Sequence, residues 1–584
     1  MKLPVAGACV ALLLQAMLSS PLPQQPASKG SIEGVVTRAG TGDPVPGAVV
    51  SLTGGTALSP TSTLPLPGQS ANSVGVLPVT ADGQGRFAFR DLNPGLYRVS
   101  VRANGYAKRE YGQQSTGAQG KVVSVGQGQT IRDLGIPLTP AGNISGRIRD
   151  NFGQPAVGIQ VQLLMATYNA DGQRSFQSGG VARTDDRGEY RLFWITPGRY
   201  YLVASTVAYP VMGVVIGSPN ESSGDGILPT YYPGTAGIAQ ATVIDVKPGA
   251  EIGGVDVVVN RQASYRIRGR VIDSRNGQVP PGVNVTLVTP AATGTSYSQT
   301  NFSQSYNAQD GTFELRDVSP GPHILRAQSL AISTTVTPAT SGAISSVTAG
   351  MASFNVTSDM DGVVLTMANP VAITGRLSLE GSMPSGSPGL NSYRVQLRPS
   401  MDGVLATNVG GPTPLSQSSS QDGAFRVDNV LPGEYRLSVT PLPPDVYVKQ
   451  ARFNQADVLN KPMQFSVSET GTMDIVLSNR GGQIDGIVSD EKQHAASGIQ
   501  AVLIPERVRD RVDLYKTATT DSTGRFSIRG ITPGDYRIFA WEALDPFAYF
   551  DPDLLKQYEQ KGRPVHIAES SKETVDVRMI PSEQ

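Results

Sequence analysis

A thirteen-residue phrase recurs five times in this chain and limits what the chain can fold into. Its last copy runs from Gly524 through Phe526 and Pro533-Gly534 to Tyr536. In each copy a glycine stands two residues before an aromatic ring, Pro-Gly follows seven residues after the ring, and a second ring follows ten after it. The first rings are Phe87, Tyr190, Phe313, Phe425 and Phe526; the second are Tyr97, Tyr200, His323, Tyr435 and Tyr536. Gly524 suits a tight turn with positive φ. Pro533-Gly534 suits a type II turn, in which Pro presets φ and Gly accepts φ > 0. Beyond Tyr536 the residues alternate between two unlike faces, the period of a strand. The copies lie about 100–120 residues apart, the size of an ordinary domain and too long for a solenoid repeat.

The repeats also open and close alike. Each opens on Ile-x-Gly, at Ile32, Ile144, Ile267, Ile373 and Ile484, and each ends on a short alternating strand such as Val255–Val259 or Val575–Ile580. Six or seven short strands per repeat, with turn residues between them, predict an all-β chain of tandem Greek-key β-sandwiches. No repeat has the continuous apolar runs of a buried parallel sheet. The expected divisions are 1–27 (signal peptide and lead-in), 28–140, 141–262, 263–371, 372–480 and 481–584. Insertions at 56–73, 207–238, 331–348 and 447–461 vary between copies, and varying loops on a fixed frame are where specificity resides. In the last repeat Asp551 to Glu559 reads as one short helix, with Asp551 as N-cap, Pro552 in the first turn and Gly562 beyond its end.

Charge and cysteine usage exclude several functions. The chain has 48 basic and 48 acidic side chains and a net charge of zero, which gives no electrostatic case for nucleic acid or anionic membranes. Lys2 and the apolar run from Val5 to Leu18 read as a secretory signal too short to span a bilayer comfortably. The expected location is therefore outside the cytoplasm: periplasm, cell surface or extracellular space. The one cysteine, Cys9, falls in that run. The mature chain then has no disulfide, no thiolate nucleophile and no Cys-based metal site, and no second membrane segment follows the signal.

The motif set resembles the carboxypeptidase regulatory-like domain: Gly-x-Phe, then Pro-Gly-x-Tyr, with an opening Ile-x-Gly-x-Val. The resemblance covers nearly all of the mature chain in five copies and is closest in the first and last. It departs at His323, where Tyr stands elsewhere, and at Ser420, where Asp82 and Asp521 stand in other copies. The resemblance implies a transthyretin-like (prealbumin-like) sandwich, grouped with carbohydrate-binding-like folds, and a non-catalytic accessory role. The loop from Leu228 to Gly234 and the segment from Asp551 to Tyr558 are similar to those of envelope-associated, multi-domain bacterial proteins of this kind. A shared sandwich frame assigns no ligand.

Catalytic and metal chemistry find no residue set. The histidines are His323, His494 and His566. His566 and Glu569 have a zinc-peptidase spacing, but on a strand positions three apart face opposite sides. Asp82, Asp185, Asp186 and Asp521 lie in glycine-containing turns, where Asp bonds nearby backbone N–H groups. They are too few per loop for a calcium cage. A self-made Lys–Asn isopeptide needs a lysine on an early strand. The third repeat has none and carries Arg266, Arg268 and Arg270 there, and guanidinium stays protonated. No enzyme, cofactor or metal is expected.

Aromatic side chains are the remaining lead, because sugar faces stack on exposed rings. Trp194 falls where the other repeats have Asp91, Asp317, Asn429 and Gly530, a polar turn position. Trp541 aligns with Arg102, Ser205, Gln328 and Thr440, the outward face. Phe539 points the same way, and Leu554, Leu555 and Tyr558 suit a cover for both, so packing competes with ligand contact there. Tyr231-Tyr232 lies between Pro229 and Pro233 and serves either to staple its loop or to touch a ligand. Trp194, Tyr231, Tyr232 and Trp541 are the candidate ligand-binding residues. The expected function is non-catalytic binding of polysaccharide or another cell-envelope component. The alternative is a structural spacer or surface-assembly protein with no small-molecule ligand, its repeats strung as a rod.

Overall fold

The computed structural model describes residues 28–581 apart from 55–75, 116, 171, 173, 206–228, 261–264, 281, 291–296, 302–305, 319, 333–343, 382–388, 400–419, 421 and 466–469. Residues 1–27 (Cys9 and the expected signal peptide), the insertion 56–73, and most of 207–238 and 331–348 lie outside the described residues. The chain divides into two compact units, 1–140 and 141–584.

The first unit is one sandwich. One layer orders Arg86–Leu92, Gly30–Arg38 and Thr130–Leu138; the other orders Val76–Thr80, Val49–Gly54, Gly95–Arg102 and Arg109–Glu110. Strand Gly30–Arg38 alternates buried and half-buried residues, as one apolar face requires. Ile32, Val50, Phe89 and Leu138 meet in the core between the layers.

The second unit repeats the scheme four times, with a separate core for each repeat. In each of the five sandwiches the opening strand lies antiparallel to the Gly-x-aromatic strand and parallel to the closing strand. The parallel pair is compatible with the lack of long apolar runs, because only one of its faces is buried. Two sandwiches depart from the common plan. In the fourth, Tyr447–Phe453 joins the layer of the opening strand. In the fifth, Lys572–Ile580 runs parallel to both Gly482–Ser489 and Gly534–Trp541, so the two layers join at one end.

The recurring residues now have physical reasons. The Ile-x-Gly glycine sits directly opposite the aromatic ring: Gly34 to Phe87, Gly146 to Tyr190, Gly269 to Phe313, Gly375 to Phe425 and Gly486 to Phe526. A Cβ on Gly486 would lie 2.6 Å from Phe526 Cζ and 2.1 Å from the Val575 carbonyl oxygen. The ring therefore crosses the strand where only a hydrogen leaves room. The second ring locks the corner. Tyr97, Tyr200 and Tyr536 are buried, and their hydroxyls donate to the carbonyls of Asn93 (2.7 Å), Thr196 (2.6 Å) and Thr532 (2.7 Å), each the residue before the proline. Burial pushes the Tyr200 and Tyr435 hydroxyls up to about 12.

The Pro-Gly corner itself differs from expectation. Gly198, Gly433 and Gly534 have φ of 157°, 149° and 158°, far from the roughly +80° of a type II turn. The strands flanking the corner belong to opposite layers, so it carries the chain across the sandwich instead of folding a hairpin. Gly524 does take positive φ, 75°, and its N–H donates to the Asp521 carbonyl.

Contacts inside the second unit link both neighbouring repeats and repeats distant in sequence. The fourth and fifth sandwiches share a charged joint. Lys449 Nζ lies 2.7 Å from Glu380 and 2.8 Å from Glu569, and Arg480 pairs with both acids. The fifth sandwich also touches the second. Ala548–Phe550 meets strand Gln160–Tyr168, and a Cβ on Gly172 would lie 2.6 Å from Val512 Cγ1. A string of repeats touching only their sequence neighbours would not make that contact.

Candidate ligand-binding face of the second sandwich

Strand Glu189–Ile195 begins as a regular edge strand. Tyr190 and Leu192 point inward, while Glu189 and Arg191 point outward. It pairs with Gly142–Asp150 through Leu192 to Ile144 and Ile195 to Gly142. Between those pairs Phe193 and Trp194 face Asn143 alone, so the strand is bulged there, two residues against one. The bulge puts two neighbouring side chains on the same side: Phe193 is 56% exposed and Trp194 57%. The Trp194 N–H points to Asn143 Oδ1 at 3.4 Å.

The bulge is general and its occupant is not. Asp91, Asn429 and Gly530 take the same place with φ of 56°, 61° and 63°, and Trp194 has φ 55°. Asp, Asn and Gly suit left-handed backbone, whereas a bulky residue there is an outlier. The turn expected at this position is thus a bulge. A bulge is a relation between two strands, which one strand's sequence does not display. In the fifth sandwich a Cβ at Gly530 would strike the Pro444 carbonyl oxygen at 2.1 Å, which accounts for glycine there.

Polar groups surround the two rings. The Arg191 guanidinium lies over the Phe193 ring at 4.9 Å and 3.9 Å from Glu251. Ser145 faces Arg191 across the strands, and Asn143 faces Glu251. Further along, Arg147 Nε donates to Glu189 at 3.0 Å and its backbone N–H to Asp256 at 2.8 Å. Flat apolar rings bordered by hydroxyl, amide and charged groups can hold a pyranose, its C–H face on a ring and its hydroxyls on the polar rim.

The other candidate residues lie elsewhere. Tyr231 is 5% exposed and packs with Leu164, Val203 and Ile238 on the layer opposite that of Trp194. Tyr232 is half-buried against the core of the same sandwich. Trp541 is 3% exposed, stacks on Phe539 at 5.1 Å and is covered by Tyr549, Leu555 and Tyr558. The cover is the expected helix, Pro552–Tyr558, capped by the Asp551 side chain on the N–H groups of Asp553 and Leu554. The four candidates therefore do not form one site. Tyr231 and Trp541 are packing residues, because burial leaves no ring face for a ligand. Phe193 and Arg191 were missed. The signal was available: the other copies have Arg90, Arg316, Asp428 and Arg529 where Phe193 stands.

The remaining polar motifs are structural. Asp82, Asp185 and Asp521 each accept two backbone N–H groups within their own turns. His566 faces Asp535 at 2.7 Å, while Glu569 belongs to the joint with Lys449. Among the described residues no cluster of three His, Cys, Asp or Glu could hold a metal, and no helix is long and apolar enough to cross a membrane.

These are repeated two-layer β-sandwiches, and the second carries an exposed aromatic pair. Residues 31–135 match the family model described as the carboxypeptidase regulatory-like domain. No curated protein matches the chain. Among solved structures the chain is similar to the Bacillus anthracis TIE protein, with 15% identity and TM-score 0.15, covering 59% of this chain and 51% of that one. It thus spans about half the length of that protein. It is also similar to GBS52, the minor pilin of Streptococcus agalactiae, with 14% identity and TM-score 0.22, covering 40% and 96%. A streptococcal ancillary pilin gives 13% identity and TM-score 0.20, covering 58% and 99%.

Proposed function

We propose that this chain is an exported, non-catalytic protein that binds polysaccharide or other cell-envelope material through the outer face of its second sandwich. The observation that carries the reading is Trp194, an exposed ring held at φ 55°. Left-handed backbone costs a bulky residue about 1–2 kcal/mol. Asp, Asn or Gly fills the same bulge elsewhere without that cost. A fold gains nothing by keeping a strained, solvent-facing Trp there, so the strain points to recognition. The neighbouring Phe193, Arg191, Asn143 and Ser145 supply the platform and the polar rim. The spacer reading draws no support from the contact between the second and fifth sandwiches.

A glycan array with the full mature chain, followed by calorimetry on the best hit, tests this reading. Saturable binding that Trp194→Asn abolishes is the expected result. Undiminished binding by Trp194→Asn, or no binding to any glycan, overturns it.

A further inference from the structure

The charges on this face restrict the ligand further, given the reading above. The face presents Glu189 and Arg191 on the edge strand, Arg147 and Arg149 on the opening strand, Glu251 on the short strand Glu251–Ile252, and Asp256 just before Val257–Val259. The face holds three cations and three anions, and the acids sit against the guanidinium groups or their backbone. Arg191 is shared by Glu251 and the Phe193 ring. Arg147 is held by Glu189 through its side chain, and Asp256 accepts its backbone N–H. A polyanionic chain needs surplus, convergent cations, which raise its local concentration and bring a steep salt dependence. A balanced face repels neither sign and attracts neither, leaving stacking and hydrogen bonding to select the ligand.

We infer that the second sandwich takes an uncharged glycan, a polymer of neutral hexose or N-acetylhexosamine units, in preference to uronate- or phosphodiester-bearing polysaccharide. One pyranose lies on the Trp194 ring. Arg191, steadied by Glu251 and Phe193, donates hydroxyl-directed hydrogen bonds from the rim. Arg191 is thus a specificity residue whose charge is offset by Glu251, 3.9 Å away.

The full mature chain should be titrated with dextran and chitohexaose as neutral probes and with polygalacturonate as the acidic probe, at roughly 50 and 500 mM salt. A neutral probe should bind with less than about a twofold change between the two salts, and polygalacturonate should bind at least about tenfold more weakly. Trp194→Asn should abolish the neutral binding, which ties it to this face. Glu251→Gln leaves Arg191 without its acid and should raise polygalacturonate binding at low salt about fivefold. Preference for polygalacturonate with strong salt dependence overturns the neutral assignment and leaves the glycan-binding reading standing. Failure of all three probes and of the glycan array overturns both. Neutral binding that persists in Trp194→Asn overturns the placement on this face.

Discussion

Gly486→Ala should loosen the fifth sandwich far more than its single added methyl suggests. The new Cβ would sit 2.1 Å from the Val575 carbonyl oxygen and 2.6 Å from Phe526 Cζ. One obstacle is a ring and the other is backbone of the parallel neighbour, Lys572–Ile580. Small-to-large changes in packed sites cost about 1–3 kcal/mol, and a backbone obstacle places this one near the top of that range. Relief of glycine's entropy in a strand returns only about 0.5–1 kcal/mol. A net loss of about 2 kcal/mol corresponds to roughly 30-fold faster opening. Hydrogen exchange read by mass spectrometry on peptides covering 482–489 and 572–580 measures this locally, which suits a chain whose sandwiches have separate cores. Gly498→Ala is the control. Gly498 has φ 73°, and a Cβ there would meet no atom within 4 Å, so it should lose only about 1 kcal/mol, roughly fivefold. Adding Phe526→Leu to Gly486→Ala should recover about 1 kcal/mol, because the ring's share of the clash is gone. If Gly486→Ala exchanges no faster than Gly498→Ala, the ring-over-glycine account of the repeat is wrong.

Trp194→Asn should stabilise the second sandwich by about 1 kcal/mol, visible as slower exchange over 189–195, while removing binding. Tyr536→Phe leaves the Thr532 carbonyl without the hydroxyl that now donates to it, and should cost the fifth sandwich about 1–2 kcal/mol by the same readout. Hydrogen bonding from Lys449, with the charges of Lys449 and Arg480, holds the Glu569 carboxyl below the usual range. Its stabilisation is present above the ordinary Glu value and is lost as pH falls through the folded value. Exchange at Ser570, whose N–H donates to the Arg480 carbonyl, should therefore quicken below about pH 4, and Lys449→Met should remove most of that response. The Tyr200 and Tyr435 phenols, raised to about 12, are stabilising below the ordinary Tyr value. That contribution should drain away between about pH 10 and 12, and ultraviolet titration should show phenols ionising together with unfolding.

The sequence made the five sandwiches, their opening and closing strands and the capped helix legible, because those features rest on local periodicity and on residues with strong backbone preferences. The bulge at Trp194 was hidden, since it exists only as two residues set against Asn143 on another strand. The Pro-Gly corner read as a type II turn because Pro and Gly favour one. Its role as a crossing depends on which strands pair, and those lie dozens of residues away. Burial of the outward position was the hardest to read. Ser205, Gln328 and Trp541 are covered, while the equivalent Arg102 and Thr440 are exposed. Whether that position is covered depends on neighbouring loops and sandwiches, which no repeat records in its own pattern.

The opening strand of every sandwich finds its parallel neighbour only at the far end of the same repeat, as Gly482–Ser489 does with Lys572–Ile580. During synthesis at about 5–20 residues per second, a repeat of this size therefore spends on the order of 5–20 s with its first edge unmatched. Each nascent sandwich is most open to mispairing just before completion, when the preceding copy offers a closing strand of the same pattern. Translation rate and the helpers that guard unfinished chains thus bear on the yield of this protein as directly as any contact in the finished fold.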